Sequence, residues 1–174
     1  LEDGIELDVD AICDGDEVWV AGIMQHIEPA GVHSGDSTAV LPPYSLSEEI
    51  QQTVREYMNS IGKRLDVLGL VNVQMVIKNN LLYVIEANPR ASRTVPFVAK
   101  ATGVPISNIA TKVMLGAKLE EFRQRGELES TLVGFAVKEP VFSWDKFPEV
   151  RKELGPEMKS TGEAIAFIAD FKDE

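Results

Sequence analysis

Apolar and polar positions alternate from the start of the chain. Ile5, Leu7, Val9 and Ala11 interleave with Glu6, Asp8 and Asp10, which predicts a strand with one buried and one polar face. Asp14-Gly15-Asp16 predicts a turn, and Glu17 to Met24 the returning strand. Gly31 to Ser37 is too rich in Gly and Ser to be regular. A helix opens at Ser45 or Ser47 as N-cap. It carries Ile50, Val54, Met58, Ile61 and Leu65 on one face and ends near Gly69. Val71 to Lys78 and Leu81 to Asn88 predict a second hairpin, and Pro89 stops its second strand. Helices follow from about Thr94 to Gly103 and from Pro105 to Gly116, each with Pro early and Gly past the end. The charged stretch Glu121 to Ser130 reads as a solvated excursion. Gly134 to Phe142 reads as a strand placed at an edge by Pro140, and Trp144 to Gly162 as loop.

Composition adds bounds. The 174 residues, 44% hydrophobic and 26% charged, suit one globular domain with an ordinary core. The formal net charge of −11 repels a phosphate backbone and argues against nucleic acid as a partner. No apolar run approaches a membrane span and no signal peptide is seen, so no membrane partner is expected. A lone cysteine, Cys13, forms no internal disulfide and suits a cytoplasmic setting. Leu1 stands where an initiator Met is usual, and Ala169 to Glu174 shows no helix cap. Both ends read as those of a fragment.

The chemistry gathers around Gln74 and the run Ile85 to Arg90. Glu86 and Asn88, two apart in a strand, project together. A carboxylate beside an amide offers the hard oxygen ligands that Mg2+ or Mn2+ takes, and Gln74 adds a third from the neighbouring strand. A bridging carboxylate can hold two metals roughly 3.5–4 Å apart and clamp a nucleotide's phosphates. Arg90 and Arg93 supply cationic forks for phosphoryl transfer. The competing reading has Glu86 and Asn88 merely ending a strand; a polar Gln74 inside an apolar strand weighs against it. A shared site requires Gln74 and Glu86 on one face. A two-residue Asn79-Asn80 turn with an unbroken ladder opposes Gln74 to Ile85. The expectation is therefore a three-residue loop with Gln74 opposite Val84, a bulge being the other route. Glu6, Asp8 and Asp10 read as a solvated acidic face, His33 as a loop residue, and Cys13 as core. Trp19 and Trp144 read as core or contact residues. No Walker or Rossmann glycine motif occurs, so the chain holds half a nucleotide site.

At Asp8 to Gly15, Ala30 to Ser37, Gly69 to Gln74, Tyr83 to Pro105 and Leu154 to Glu163, the sequence closely resembles the large subunit of the carbamoyl phosphate synthetase family. Arg93 to Val98 and the closing LGPEMKSTGE resemble its second, carboxy-terminal ATP-grasp unit. The resemblance implies an α+β fold, the C-terminal lobe of an ATP-grasp unit, with an antiparallel sheet backed by helices. It places that lobe at 1–143, with 144–174 a loop-rich extension towards an allosteric domain. It also implies ATP-dependent phosphorylation of carbamate to carbamoyl phosphate. Gln74, Glu86 and Asn88 then ligate Mg2+ or Mn2+, and Arg90 and Arg93 face phosphates and carbamate. Glu6 accepts from the ribose, and Gly31, Val32 and His33 line the ATP pocket. The partners implied are the N-terminal ATP-grasp lobe of the same subunit and a small glutaminase subunit. The fragment alone is expected to be inactive. The alternatives are a noncatalytic nucleotide-binding or assembly module and a lobe of a related ATP-grasp carboxylase; GVHSGDS and STGE argue against the latter.

Overall fold

A computed structural model describes residues 3–149 and 151–169. Strand β1 (Ile5–Asp14) turns into β2 (Val18–His26), and β3 (Ala39–Leu41) precedes helix α1 (Glu48–Arg64). The hairpin β4 (Leu68–Lys78) and β5 (Leu81–Asn88) leads to α2 (Val95–Thr102), α3 (Ile106–Met114) and α4 (Leu119–Gln124). Strands β6 (Phe135–Val141) and β7 (Gly162–Ile168) complete the described chain. One sheet runs in the order β5-β4-β1-β2-β3-β6-β7, and every neighbouring pair is antiparallel.

The alternation on β1 is realised as two differently covered faces. Leu7, Val9 and Ala11 join Val71, Val73 and Met75 of β4 under Val54 and Met58 of α1. Ser47 caps that helix through its hydroxyl to the Ile50 N–H, and Glu48–Glu49 and Lys63–Arg64 sit where the helix dipole favours them. On the opposite face, Ile12 and Met24 pack with Phe97, Val98, Ile109 and Phe122 from α2, α3 and α4. Gly22 permits this layer to close, because a Cβ there would stand 2.8 Å from Val98. The helices cover only part of that face and leave the polar positions of β1, β4 and β5 to form a site beside them.

The structure corrects several expectations. Asn79 and Asn80 do form a two-residue turn, both with positive φ (52° and 59°), and Lys78 pairs with Leu81. The three-residue loop is absent; a bulge at Ile85 lies between the pairs Met75–Val84 and Gln74–Glu86 and restores the parity. Gln74 is therefore directly opposite Glu86, not opposite Val84. Helix α1 stops at Arg64, and Gly69, at φ 104°, lies inside β4. Part of 121–130 is helical, with Leu119 and Phe122 buried, so amphipathic contact outweighs the local charge. Strand β6 is paired on both sides; Pro140 lies past the end of β3 and opposite Glu163, where no β3 partner needs its missing N–H. Glu6, Asp8 and Asp10 are buried, not solvated.

Candidate functional site

Register sets the polar face. Across β1, β4 and β5, Asp8 pairs with Gln74 and Gln74 with Glu86; one step along, Asp10 pairs with Asn72 and Asn72 with Asn88. Two rows of oxygen- and amide-bearing side chains thus run side by side from the sheet interior to its β5 edge. Directly opposed residues project to the same face, so Gln74 and Glu86 share one. Asn88 Nδ2 donates to Glu86 Oε1 at 2.8 Å.

Beside these rows, Glu6, Gly31, Val32, His33, Gln74 and Glu86 line one cleft of about 520 Å³. Gly31 N–H donates to Glu6 Oε2 at 3.1 Å, tying the glycine loop to β1. Burial raises the Glu6 carboxyl, the Gly31 N–H opposes that rise, and the charge of Glu86 adds to it. His33 takes a Gly35 N–H on Nδ1 and donates its own backbone N–H to Gly155 O. Asp36 accepts from the backbone N–H groups of Lys159 and Ser160, so the 155–160 segment clamps the loop from outside. Burial pushes the Asp36 carboxyl up, but these N–H donors outweigh it and leave the group lowered.

The inner ends of the rows are dry. Asp8 is pushed up to about 7, first by burial and then by Asp10, while Asn72 and Lys138 oppose the shift. Asn72 donates to both carboxylates, Asp8 and Asp10. Burial likewise raises Asp10. Lys138 on β6, almost fully buried, donates to Ser34 O at 3.0 Å. Burial lowers its ammonium, while Glu163, Asp8, Glu28 and Asp36 hold it up. His26 stands 3.8 Å from Glu6 and 4.0 Å from Asp8, and neither ring nitrogen has a hydrogen bond among the described residues. Burial drives His26 down to about 4, so at neutral pH these approaches join a neutral ring to acids and are not ion pairs.

The other anticipated residues lie further out. Arg93 lines a second cleft of about 460 Å³ with Lys138, Met158 and Glu163; Ser34 borders both clefts. Its guanidinium lies against Met158 Sδ. Arg90, exposed, turns its Nη1 to Ala91 O. Neither Asn88 nor Arg90 lines either cleft. Sequence reasoning missed Asp8, Asp10, Asn72, His26 and Lys138. Two polar residues two apart on β4, Asn72 and Gln74, facing the acids of β1, were the available signal.

Among the described residues, no three His, Cys, Asp or Glu side chains gather to hold a metal. Gln74, Glu86 and Asn88 offer instead one carboxylate and two amides. That oxygen donor set fits a hard divalent cation whose remaining ligands come from water and phosphate, the usual arrangement for Mg2+.

Sheet, helices and an oxygen-lined cleft at the sheet edge define an ATP-grasp lobe. A solved structure of Rhizobium etli pyruvate carboxylase, crystallized without acetyl coenzyme-A, shares this fold with TM-score 0.67 at 18% identity, over 86% of this chain and 15% of that one. Residues 3–122 match the family described as carbamoyl-phosphate synthase L chain, ATP binding domain, and the chain belongs to that family. The carbamoyl phosphate synthase large chain of Methanosphaerula palustris is 56% identical over 98% of this chain and 16% of its own length. The C-terminal section of the Methanocaldococcus jannaschii large chain is 51% identical over 98% of this chain and 29% of its own. The chain thus spans a minor part of the relatives it matches. No helix among the described residues is long and apolar enough to cross a membrane.

Proposed function

We propose that this lobe serves a carbamoyl phosphate synthase large chain in transferring the γ-phosphoryl group of ATP to carbamate. The observation that carries the reading is the convergence of Glu6, the 31–33 loop, Gln74 and Glu86 on one cleft. Glu6 accepts from the ribose hydroxyls, and Gly31, Val32 and His33 line the nucleotide. Gln74, Glu86 and Asn88 hold Mg2+ or Mn2+, two ions in all, which when bound neutralise phosphate charge. A carbamate oxygen attacks the γ-phosphorus, the bond to the β–γ bridging oxygen breaks, and ADP departs. Arg90 and Arg93 meet the charge that this transfer spreads over the phosphoryl oxygens.

The lobe runs past the expected boundary at 143 to take in β7, which pairs with β6 along its length, and a further, allosteric domain belongs to the full large chain. Adenine and further phosphate contacts come from an N-terminal ATP-grasp lobe of the same large chain, so the lobe alone is inactive. A small glutaminase subunit supplies nitrogen, and the setting is cytoplasmic, in keeping with the buried thiol of Cys13. The test is Glu86→Gln in the full large chain, assayed by ATP formation from carbamoyl phosphate and ADP. A fall of at least about 1000-fold, or ~4 kcal/mol, is expected. Activity within threefold of wild type removes Glu86, and with it this reading.

A further inference from the structure

Arg93 reaches its cleft from a turn between β5 and α2, with no ladder pairing of its own. What fixes that turn is a single buried carboxylate. Asp10 Oδ1 accepts from Ser92 Oγ at 2.7 Å and from Asn72 Nδ2 at 2.9 Å, and its Oδ2 accepts from Thr94 Oγ1 at 2.6 Å. Ser92 and Thr94 are the two residues flanking Arg93 in the chain. Their hydroxyls also meet each other at 2.7 Å, and Ser92 Oγ takes the N–H groups of Thr94 and Val95 at the start of α2. Asp10 is fully buried, and Gly22 opposite it on β2 lets α2 lie against the sheet.

An acid with no solvent exposure is expensive unless donors surround it, so this placement needs a reason. The stability of β1 does not supply one, since an apolar residue at that position would pack against the same helix layer without the desolvation cost. Beside the one bond from Asn72, the other two that Asp10 accepts come from both neighbours of a single arginine.

We propose that Asp10 is a positioning residue that fixes the backbone of Arg93, and so the direction from which its guanidinium enters the cleft. This rests on the reading of Arg93 as a phosphate- and carbamate-facing group. Asp10 touches no substrate. Its contribution is to pre-set an exposed, flexible arginine, so that little ordering remains to be done at the moment of transfer.

The experiment is a double-mutant cycle in the full large chain. Asp10→Asn keeps the shape and weakens the clamp; Arg93→Ala removes what the clamp holds. For carbamoyl phosphate formation, Asp10→Asn lowers kcat on the order of tenfold to 100-fold, with the KM for ATP close to wild type. In the Arg93→Ala background, Asp10→Asn has no further effect beyond about threefold, because the two act through one group. Multiplying effects overturn the proposal while leaving the reading of Arg93 intact. A silent Arg93→Ala overturns both. Should Asp10→Asn fail to fold, Thr94→Val, which removes one hydroxyl and keeps the acid, takes its place in the cycle with the same outcomes.

Discussion

Along the polar face, β1 and β5 carry carboxylates in opposite circumstances. Asp8 and Asp10 at the inner end are almost wholly buried and hydrogen-bonded by Asn72, Ser92 and Thr94. Glu86, in the same row as Asp8, stands exposed at the sheet edge and takes one amide from Asn88. Protein partners occupy the inner acids, so those acids hold shape. The outer acid, exposed and with one amide on Oε1, is the one that the proposed metal role needs open. One strand register therefore yields a buried, hydrogen-bonded base and an exposed rim.

The largest effect that sharpens this contrast is the Glu86→Gln loss of activity, which should leave stability within about 0.5 kcal/mol because the rim bears no packing. Equal loss of folding and activity would erase the distinction. The inner end is read out by pH. His26, at about 4 when folded against 6.5, takes its proton first in the unfolded chain, so its share of stability falls as pH drops from 6.5 to about 4. Asp8, at about 7 against 3.8, binds a proton in the folded chain first, so its share rises as pH falls through the same range. In the wild type the His26 slope runs against those of Asp8, Asp10 and Glu6, whose carboxyls are all raised in the folded chain. Relative to the wild type, Asp8→Asn should turn the slope towards loss on acidification by up to ~1.4 kcal/mol per pH unit, and His26→Gln should turn it towards gain by a similar amount. Urea unfolding between pH 7 and 4 decides, and parallel curves for both variants would refute the pairing.

A smaller effect is expected from Asn72→Ala, which takes a donor from two buried carboxylates. It should cost ~2 kcal/mol in urea unfolding. An unchanged midpoint would mean that the inner acids do not depend on that amide. The smallest effect belongs to Asn88→Ala at the rim. Mn2+ binding to the full large chain, followed by electron paramagnetic resonance, should weaken about tenfold, with no change in unfolding. Intact metal affinity would remove Asn88 from the donor set.

The rim was legible in the sequence and the base was not. Glu86, Asn88 and Gln74 announce themselves because polar groups interrupt apolar strands, and the arginines follow within a few residues. Asp8 and Asp10 carry the same local pattern as a solvated strand face. Their burial depends on α2, on Lys138 of β6 and on hydroxyls more than 80 residues away, none of which alternation can reveal. Strand β3, three residues long, is too short to show a period.

By itself the sequence determined the β1–β2 and β4–β5 hairpins, helices α1, α2 and α3, and the polar side chains at the sheet edge. Those features arise from side-chain periodicity, turn residues and caps within short windows. The tertiary structure alone decided that Gln74 and Glu86 share a face, through the bulge at Ile85, and that the acids of β1 lie inside. Register is set by packing across strands, and burial by which layer covers a face. Both depend on residues far apart in the chain.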